Sequence, residues 1–284
     1  MFRELRPWLK RASDRLRVAS LQAALKEQRL DSTYEQLRKI VPDITQQYST
    51  YAVDTQLIEL ETRGLQAFQV RLAEEAMRIA HAAGAPSRLT LIDIGDSSGT
   101  HIEYLRALHG EVRSLSVNVD AEAVAKIKAR GLEAVHASAE EVERYDIKPD
   151  VLLCFETLEH LPDPSNFLSR LAKVTSARTF ALTVPYVRRS RVGLRYIRRG
   201  LPEVAGPETT HIFELSPADW RPLFMFSGWR VVAERVFKLY PRIHPMAVTR
   251  PLWKAVDFEG FYGAILSPDE TWREQYAARA GRAV

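Results

Sequence analysis

The chain has 284 residues, 46% of them hydrophobic and 27% charged, and a net charge of +4, the balance of an ordinary globular protein. A lone cysteine, Cys154, excludes a disulfide framework, no run is apolar for long enough to span a bilayer, and the mild charge falls short of a nucleic-acid-binding footprint. Met1 to Lys10 lacks the apolar core of a secretory signal, so a cytoplasmic location is expected.

Residues 1–82 read as helical. Leu57, Leu60, Leu65, Phe68, Val70, Leu72 and Met77 recur at helix-like intervals, and the main breakers are Pro7, Pro42 and Gly64. The run stops at A-A-G-A-P, residues 82–86. Its first stretch mixes Arg3, Arg6, Lys10, Arg11, Arg15 and Arg17 with Phe2, Leu5, Trp8, Leu9 and Leu16. Such a helix can lie on an anionic membrane surface or pack on the domain or on a second subunit, and packing is the simpler reading.

From Leu89 the texture changes to short apolar runs alternating with helix-like segments. Strands are predicted at 89–94, 114–119, 132–136, 150–155 and 178–184, and helices at 99–108, 121–130, 139–145 and 165–174. Ser216 to Gly228 reads as a further helix, with Ser216 as N-cap and Pro217 in the first turn. Residues 229–239 and 261–266 supply two last strands. The alternation predicts an α/β fold, a doubly wound, mostly parallel sheet. The expected organisation is a helical extension at 1–85, a ligand-binding domain at 86–267 with a basic insert at 186–215, and a tail at 268–284.

Four pieces carry chemistry. The run L-T-L-I-D-I-G-D-S-S-G-T (89–100) turns a strand into a helix through small residues, so that backbone N–H groups can approach a ligand. Asn118 and Asp120 stand 23 and 25 positions after Gly95, where doubly wound folds grip ribose hydroxyls, although Asp120 also suits a helix cap. Ser138 and Ala139 end the third strand. Phe155, Glu156, Glu159 and His160 empty from the fourth strand onto the carboxyl edge of the sheet.

In this order the motifs I-D-I-G-x-S-x-G, N-V-D-A-E-A-V, A-S-A-E and L-E-H-L-P-D-P resemble those of class I S-adenosylmethionine-dependent methyltransferases, especially the group that includes the ubiquinone-biosynthesis O-methyltransferases. T-V-P-Y (183–186) and H-I-F-E-L-S (211–216) are similar to that group too, and the resemblance covers roughly residues 88–240. It implies a seven-stranded Rossmann-like sheet whose last strand, 261–266, is antiparallel. It implies S-adenosylmethionine as cofactor, with Asp93, Gly95, Ser97 and Gly99 around its methionine part, Asn118 or Asp120 at the ribose, Ser138 and Ala139 at the adenine, and Phe155 and Glu156 near the sulfonium. Asp96-Ser97 departs from the common Cys-Gly, Asn118 from an acid and Ser138 from an aspartate. Neutral acceptors contribute on the order of 1 kcal/mol where charged ones give 1.5–3, and acids 93 and 96 facing the sulfonium offset part of that.

His160 and His211 are the candidate general bases; the alternative is that Glu159 and His160 merely hold the loop after the fourth strand. Glu156 and His160 are spaced like paired metal ligands, but no third ligand stands near them in sequence, so no metal is expected. Arg188, Arg189, Arg191, Arg195, Arg198 and Arg199 read either as a clamp for an anionic acceptor, a phosphorylated or nucleotide sugar or a lipid phosphate, or as a solvated helix face. The expected function is methyl transfer to a small-molecule, glycan or lipid-linked acceptor. The alternatives are a binding scaffold on the same fold and a serine hydrolase using Ser97 in G-x-S-x-G with Asp163 and His211, although that elbow normally follows several strands. Hydride transfer is disfavoured because Thr100 occupies the place of the third glycine. The helical extension is also a candidate contact between identical subunits.

Overall fold

The structure, a computed structural model, describes residues 2–45, 53, 55–110, 112–139, 141, 148–193, 211–256, 258–269, 271, 274 and 275, with side chains from Leu9 onward. The predicted helix at 139–145 lies largely outside these residues, as do Arg195, Arg198, Arg199 and most of the C-terminal tail.

Three helices open the chain: α1 (Phe2–Glu27), α2 (Asp31–Ile40) and α3 (Gln56–Ala82). Pro42 follows α2 as a stop, and the Thr55 side chain caps α3 by accepting from the Ile58 N–H at 3.2 Å. The apolar positions on α3 extend almost around the helix, because it is buried against the sheet, α1 and α2 together. The second half of α1 is packed rather than free. Arg17 pairs with Glu61 and stacks on Trp253, and the Glu27 carboxylate accepts from the Arg242 and Ile243 N–H groups.

The next segments alternate: β1 (Thr90–Ile94), α4 (Thr100–His109), β2 (Arg113–Asn118), α5 (Ala121–Ala129), β3 (Ala134–His136), β4 (Val151–Phe155), α6 (Pro164–Val174) and β5 (Thr179–Pro185). Two short strands then pair antiparallel, β6 (Arg191–Val192) with β7 (Phe213–Glu214). After them come α7 (Pro217–Phe226), β8 (Trp229–Lys238), α8 (Arg250–Ala255) and β9 (Gly260–Pro268). The large sheet has seven strands in the order β3-β2-β1-β4-β5-β9-β8. β1 to β5 pair in parallel, and β9 runs antiparallel to both its neighbours. The expected doubly wound sheet with an antiparallel final strand is therefore present.

Alternation along each strand divides the core. Leu91, Leu153 and Ile265 face the layer of α3, α4 and α5, while Ile92, Cys154 and Leu266 face α6 and α7. The ribbon β6–β7 and helix α8 escaped the sequence reading, since each ribbon strand is two residues long and α8 starts in a proline-rich stretch.

The extension is tied to the sheet where β9 passes under α3. A Cβ added at Gly263 would lie 2.8 Å from Phe68 Cζ and 2.9 Å from Leu72 Cδ2, both on buried side chains of α3. Gly263→Ala should therefore lift α3 at a cost of about 1–3 kcal/mol, seen as a lower urea midpoint with an unchanged slope.

Candidate active site

The strand order reverses between β1 and β4, the place where open α/β sheets bind ligands beyond their carboxyl ends. A cavity of about 540 Å³ opens there, a size suited to a nucleoside-sized ligand. Its lining comes from the ends of β1, β2, β3, β4 and β5, and also from Leu65 and Gln69 of α3.

The loop after β1 is built around one carboxylate. Asp96 Oδ1 accepts the Gly99 N–H at 2.8 Å and the Ser98 N–H at 3.2 Å, and its Oδ2 accepts the Ser116 hydroxyl at 2.8 Å. The Asp96 carbonyl accepts from Asn118 Nδ2 at 2.8 Å, while Asn118 Oδ1 accepts the Asp120 N–H at 2.7 Å. The carboxamide of Asn118 thus staples β2 to the loop. Gly95 sits at φ +89°, and a Cβ there would fall 2.1 Å from Thr157 Oγ1 in the loop after β4. Only glycine allows the two loops to pass so closely.

The acids around this loop differ in their partners. Asp93 is buried, and its Oδ2 finds no hydrogen-bond donor among the described residues. Burial first, then the nearby Asp96 charge, pushes its carboxyl well above the ordinary range. His101 Nδ1 lies 3.7 Å from that oxygen. The other imidazole nitrogen, Nε2, meets Gln69 Oε1 at 2.7 Å, and Gln69 Nε2 donates to Thr183 Oγ1 at 3.0 Å. Since the Gln69 oxygen can only accept, His101 carries its proton on Nε2. Burial lowers the His101 pKa, which keeps the ring neutral. Glu156, in the left-handed region at φ +51°, is pushed up to about 8 by burial.

A second group forms on the rim. Glu159 is fully buried in the short 3-10 turn Leu158–His160, and neither of its side-chain oxygens has a donor. Burial and then the Glu156 charge raise its carboxyl well above the usual value. The Ile212 N–H donates to the Glu159 carbonyl at 2.7 Å and so brings His211 alongside. The His160 and His211 rings meet edge to face, with centroids 4.7 Å apart. His211 Nδ1 lies 2.9 Å from Glu214 Oε1, and Glu214 also pairs with Arg191. Burial raises the Glu214 carboxyl, but His211 and Arg191 outweigh it and the net shift is downward.

Of the residues singled out in the sequence, Asp93, Gly95, Ser97, Asn118, Ser138, Ala139, Phe155, Glu156, His160 and His211 all line the one cavity. Gly99 and Asp120 do not. Gly99 turns the chain at φ +78° against Leu132, and the Asp120 side chain caps α5 by accepting from Glu122 N–H. Beside the Glu156 and His160 pair singled out in the sequence, folding brings His211 from the far side of the insert to Glu159 and His160, with one possible ligand atom of each within 4.8 Å of the others. Asp163, the triad candidate, is exposed and caps α6, and His211 turns its Nδ1 to Glu214 instead. Gln69 and His101 went unnoticed in the sequence. The signal for Gln69 was a polar side chain on an apolar stripe, between Leu65 and Leu72; His101 gave none.

Residues 92–181 match the family model described as a methyltransferase domain. A sarcosine dimethylglycine methyltransferase assigned in Galdieria sulphuraria superposes with a TM-score of 0.53 at 13% identity, covering 75% of this chain and 88% of that one. The [4+2]-cyclase SpnF superposes with a TM-score of 0.54 at 12% identity, covering 87% and 97%. A chain from the complex of the Haloferax volcanii Trm112 methyltransferase activator with a methyltransferase gives 0.51 at 16%, covering 74% and 96%. At these identities the structures share the fold, and the cyclase shows that this fold hosts more than one chemistry. No curated protein matches the chain. The matched segment, residues 92–181, is thus a methyltransferase domain, an enzyme module with S-adenosylmethionine as its cofactor.

The cavity suits that cofactor on its own evidence. Asp93 and Glu156 on its lining each keep a carboxyl oxygen without a donor, which suits a ligand cationic at one end, and Val117, Ala137 and Phe155 add apolar wall of the kind an adenosine needs. Among the described residues no lysine or arginine lines the cavity. Two substitutions test the loop that frames it. Gly95→Ala should cost at least about 1–3 kcal/mol, because both the φ angle and Thr157 oppose it. Asn118→Asp puts an acceptor against the Asp96 carbonyl and should cost on the order of 1–3 kcal/mol at pH 8. Thermal melting of each variant checks both expectations.

Proposed function

We propose that the chain transfers the methyl group of S-adenosylmethionine to a hydroxyl of an anionic small-molecule, glycan or lipid-linked acceptor. The observation that supports this is the convergence of Gly95, Asn118, Ser138 and Glu156, from the ends of four different strands, on one cavity. When bound, the cofactor supplies an electrophilic methyl carbon on a sulfonium. In this reading Asp93 and Glu156 attract its positive charges, Gly95 and Ser97 bring backbone close to its methionine part, Asn118 uses its remaining hydrogen-bonding capacity on the ribose, and Ser138 and Ala139 meet the adenine. Catalysis then rests chiefly on holding the acceptor oxygen in line with the methyl carbon.

His160 and His211 mark the acceptor end. They lie on the same cavity as Glu156, and Glu214 orients the His211 ring. An acceptor hydroxyl there loses its proton more readily. Support for negative charge on the acceptor comes from a cation cluster around Glu259, which lies in the chain between the cavity-lining Phe258 and Phe261. Arg188 and Arg250 lie 3.9 and 3.6 Å from the single carboxylate of Glu259. Lys238 is buried beside the Tyr186 and Tyr240 rings, and its ammonium is lowered to about 8 by burial, with Arg188, Arg242 and Lys254 adding to the effect. This cation excess belongs near an anion. Among the described residues no helix is long and apolar enough to cross a membrane. For a lipid-linked acceptor, α1 offers exposed Leu9 and Leu16 as a surface contact.

The charge argument gives a paired test at Asp93. Its raised pKa means that folding favours the neutral acid, so stability falls as pH climbs past the ordinary carboxylate range. Asp93→Asn should stabilise the free protein at pH 8, on the order of 1 kcal/mol, with no gain near pH 4. It should also weaken S-adenosylmethionine binding about tenfold or more, since a charge-assisted contact is lost. Calorimetric titration checks the second half, and no heat from the unmodified chain at high micromolar cofactor would overturn the reading.

A further inference from the structure

Glu159, His160 and His211 form a cluster that the cofactor site does not use. One ligand atom from each lies within 4.8 Å of the others. Bonds of roughly 2.0–2.3 Å from a common ion place two ligand atoms at most about 4.5 Å apart, so small side-chain rotations close the set. The cluster is more than a meeting of polar groups, because the Glu159 carboxylate is fully buried and both its oxygens lack a donor. Such a group is costly unless it meets a cation. The neighbouring acid, Glu156, also leaves an oxygen without a donor.

The surroundings fit a metal ligand set. Glu214 holds His211 Nδ1 at 2.9 Å, which leaves Nε2 as the free donor atom. A carboxylate behind a ligating histidine fixes its tautomer and raises its basicity. The backbone bond from Ile212 to Glu159 fixes the distance between the two halves of the cluster. The other acid–histidine group, Asp93, Asp96 and His101, is less suited, since both Asp96 oxygens are already taken by Ser98, Gly99 and Ser116.

We propose that Glu159, His160 and His211, with Glu156 beside them, bind one divalent cation of the Mn²⁺–Zn²⁺ kind at the acceptor end of the cavity. Mixed imidazole and carboxylate ligands suit ions of that intermediate hardness. The ion deepens the methyl-transfer reading and, in its use, rests on it. An acceptor hydroxyl bound there as a further ligand becomes a stronger acid. Its proton leaves to solvent, the oxygen forms a bond to the methyl carbon, and the carbon–sulfur bond breaks with its electron pair passing to sulfur. The ion site itself does not depend on methyl transfer.

The test uses the untagged full chain after chelator treatment. Mn²⁺ is titrated by electron paramagnetic resonance and displaced with Zn²⁺, and S-adenosylhomocysteine binding is measured in parallel on the same samples. One equivalent of Mn²⁺ should bind. Glu159→Gln and His211→Asn should each weaken it by about 100-fold or more, and Glu214→Gln by about 10–100-fold, while His101→Asn leaves it unchanged. His211 is only half-buried, so His211→Asn stays informative where Glu159→Gln fails to fold. A proton shared between Glu156 and Glu159 is the competing way to relieve these acids, and it predicts no ion uptake. Absence of a saturable equivalent below 100-micromolar Mn²⁺ (on the order of weak-site affinity), with intact S-adenosylhomocysteine binding, overturns the site. Loss of Mn²⁺ in His101→Asn alone overturns it as well. Ion binding without S-adenosylhomocysteine binding sustains the site and removes the methyl-transfer reading.

Discussion

Buried carboxyl groups without matching donors organise this molecule. At the carboxyl edge of the sheet, Asp93 and Glu159 sit in the interior and Glu156 is half-buried, each with an oxygen that no described group satisfies. Every such oxygen costs the fold free energy on the order of 1–3 kcal/mol or more. A structure keeps such groups where a ligand completes them, and no arginine or lysine among the described residues reaches the cavity to do so first. The fold is therefore poised for positive charge from outside. In the proposed reading, the acids near Gly95 meet the cationic part of the cofactor, and those near His160 meet the proposed ion.

Holding such acids requires a rigid frame, and two devices provide it. The first is the loop after β1, which is closed on the Asp96 carboxylate and passes Thr157 without room for a side chain at position 95. The second is α3, which reaches over the sheet from what reads in sequence as a separate extension. Its Gln69 bridges His101 and Thr183 and so couples α4 to β5 across the cavity floor. The extension thus supplies part of the site, and the packing of Gly263 under Phe68 and Leu72 sets how closely it can approach.

The sheet was legible because each strand is a short apolar run and each crossover carries helix signals; the capping aspartates at 120 and 163 stand where they act. The cofactor side of the site was legible for a related reason. Its candidate residues follow directly from the ends of four strands, each announced by the apolar run before it. The acceptor side was not. His211 joins Glu159 through one backbone bond from Ile212, across a long insert whose course no local pattern predicts. Gln69 reads as one polar position in an apolar helix, and only the tertiary arrangement shows the histidine it meets.

The same frame accounts for two departures from the common motif, which are linked. An aspartate at 96 needs donors, and β2 supplies them through the Ser116 hydroxyl and the Asn118 amide. An acid at 118 would turn an acceptor toward the Asp96 carbonyl, so its neutrality follows from the loop it supports rather than from weaker recognition of a ribose. The third departure, Ser138, has a related effect, since it puts a neutral side chain where the proposed reading places the adenine. Buried carboxyl groups are concentrated instead at Asp93, Glu156 and Glu159, where the proposed reading brings the transferred group and its acceptor together. On that reading, affinity for the neutral adenosine rests on apolar contact with the cavity-lining Val117, Ala137 and Phe155, and electrostatic attraction is kept for the end where a charge changes hands.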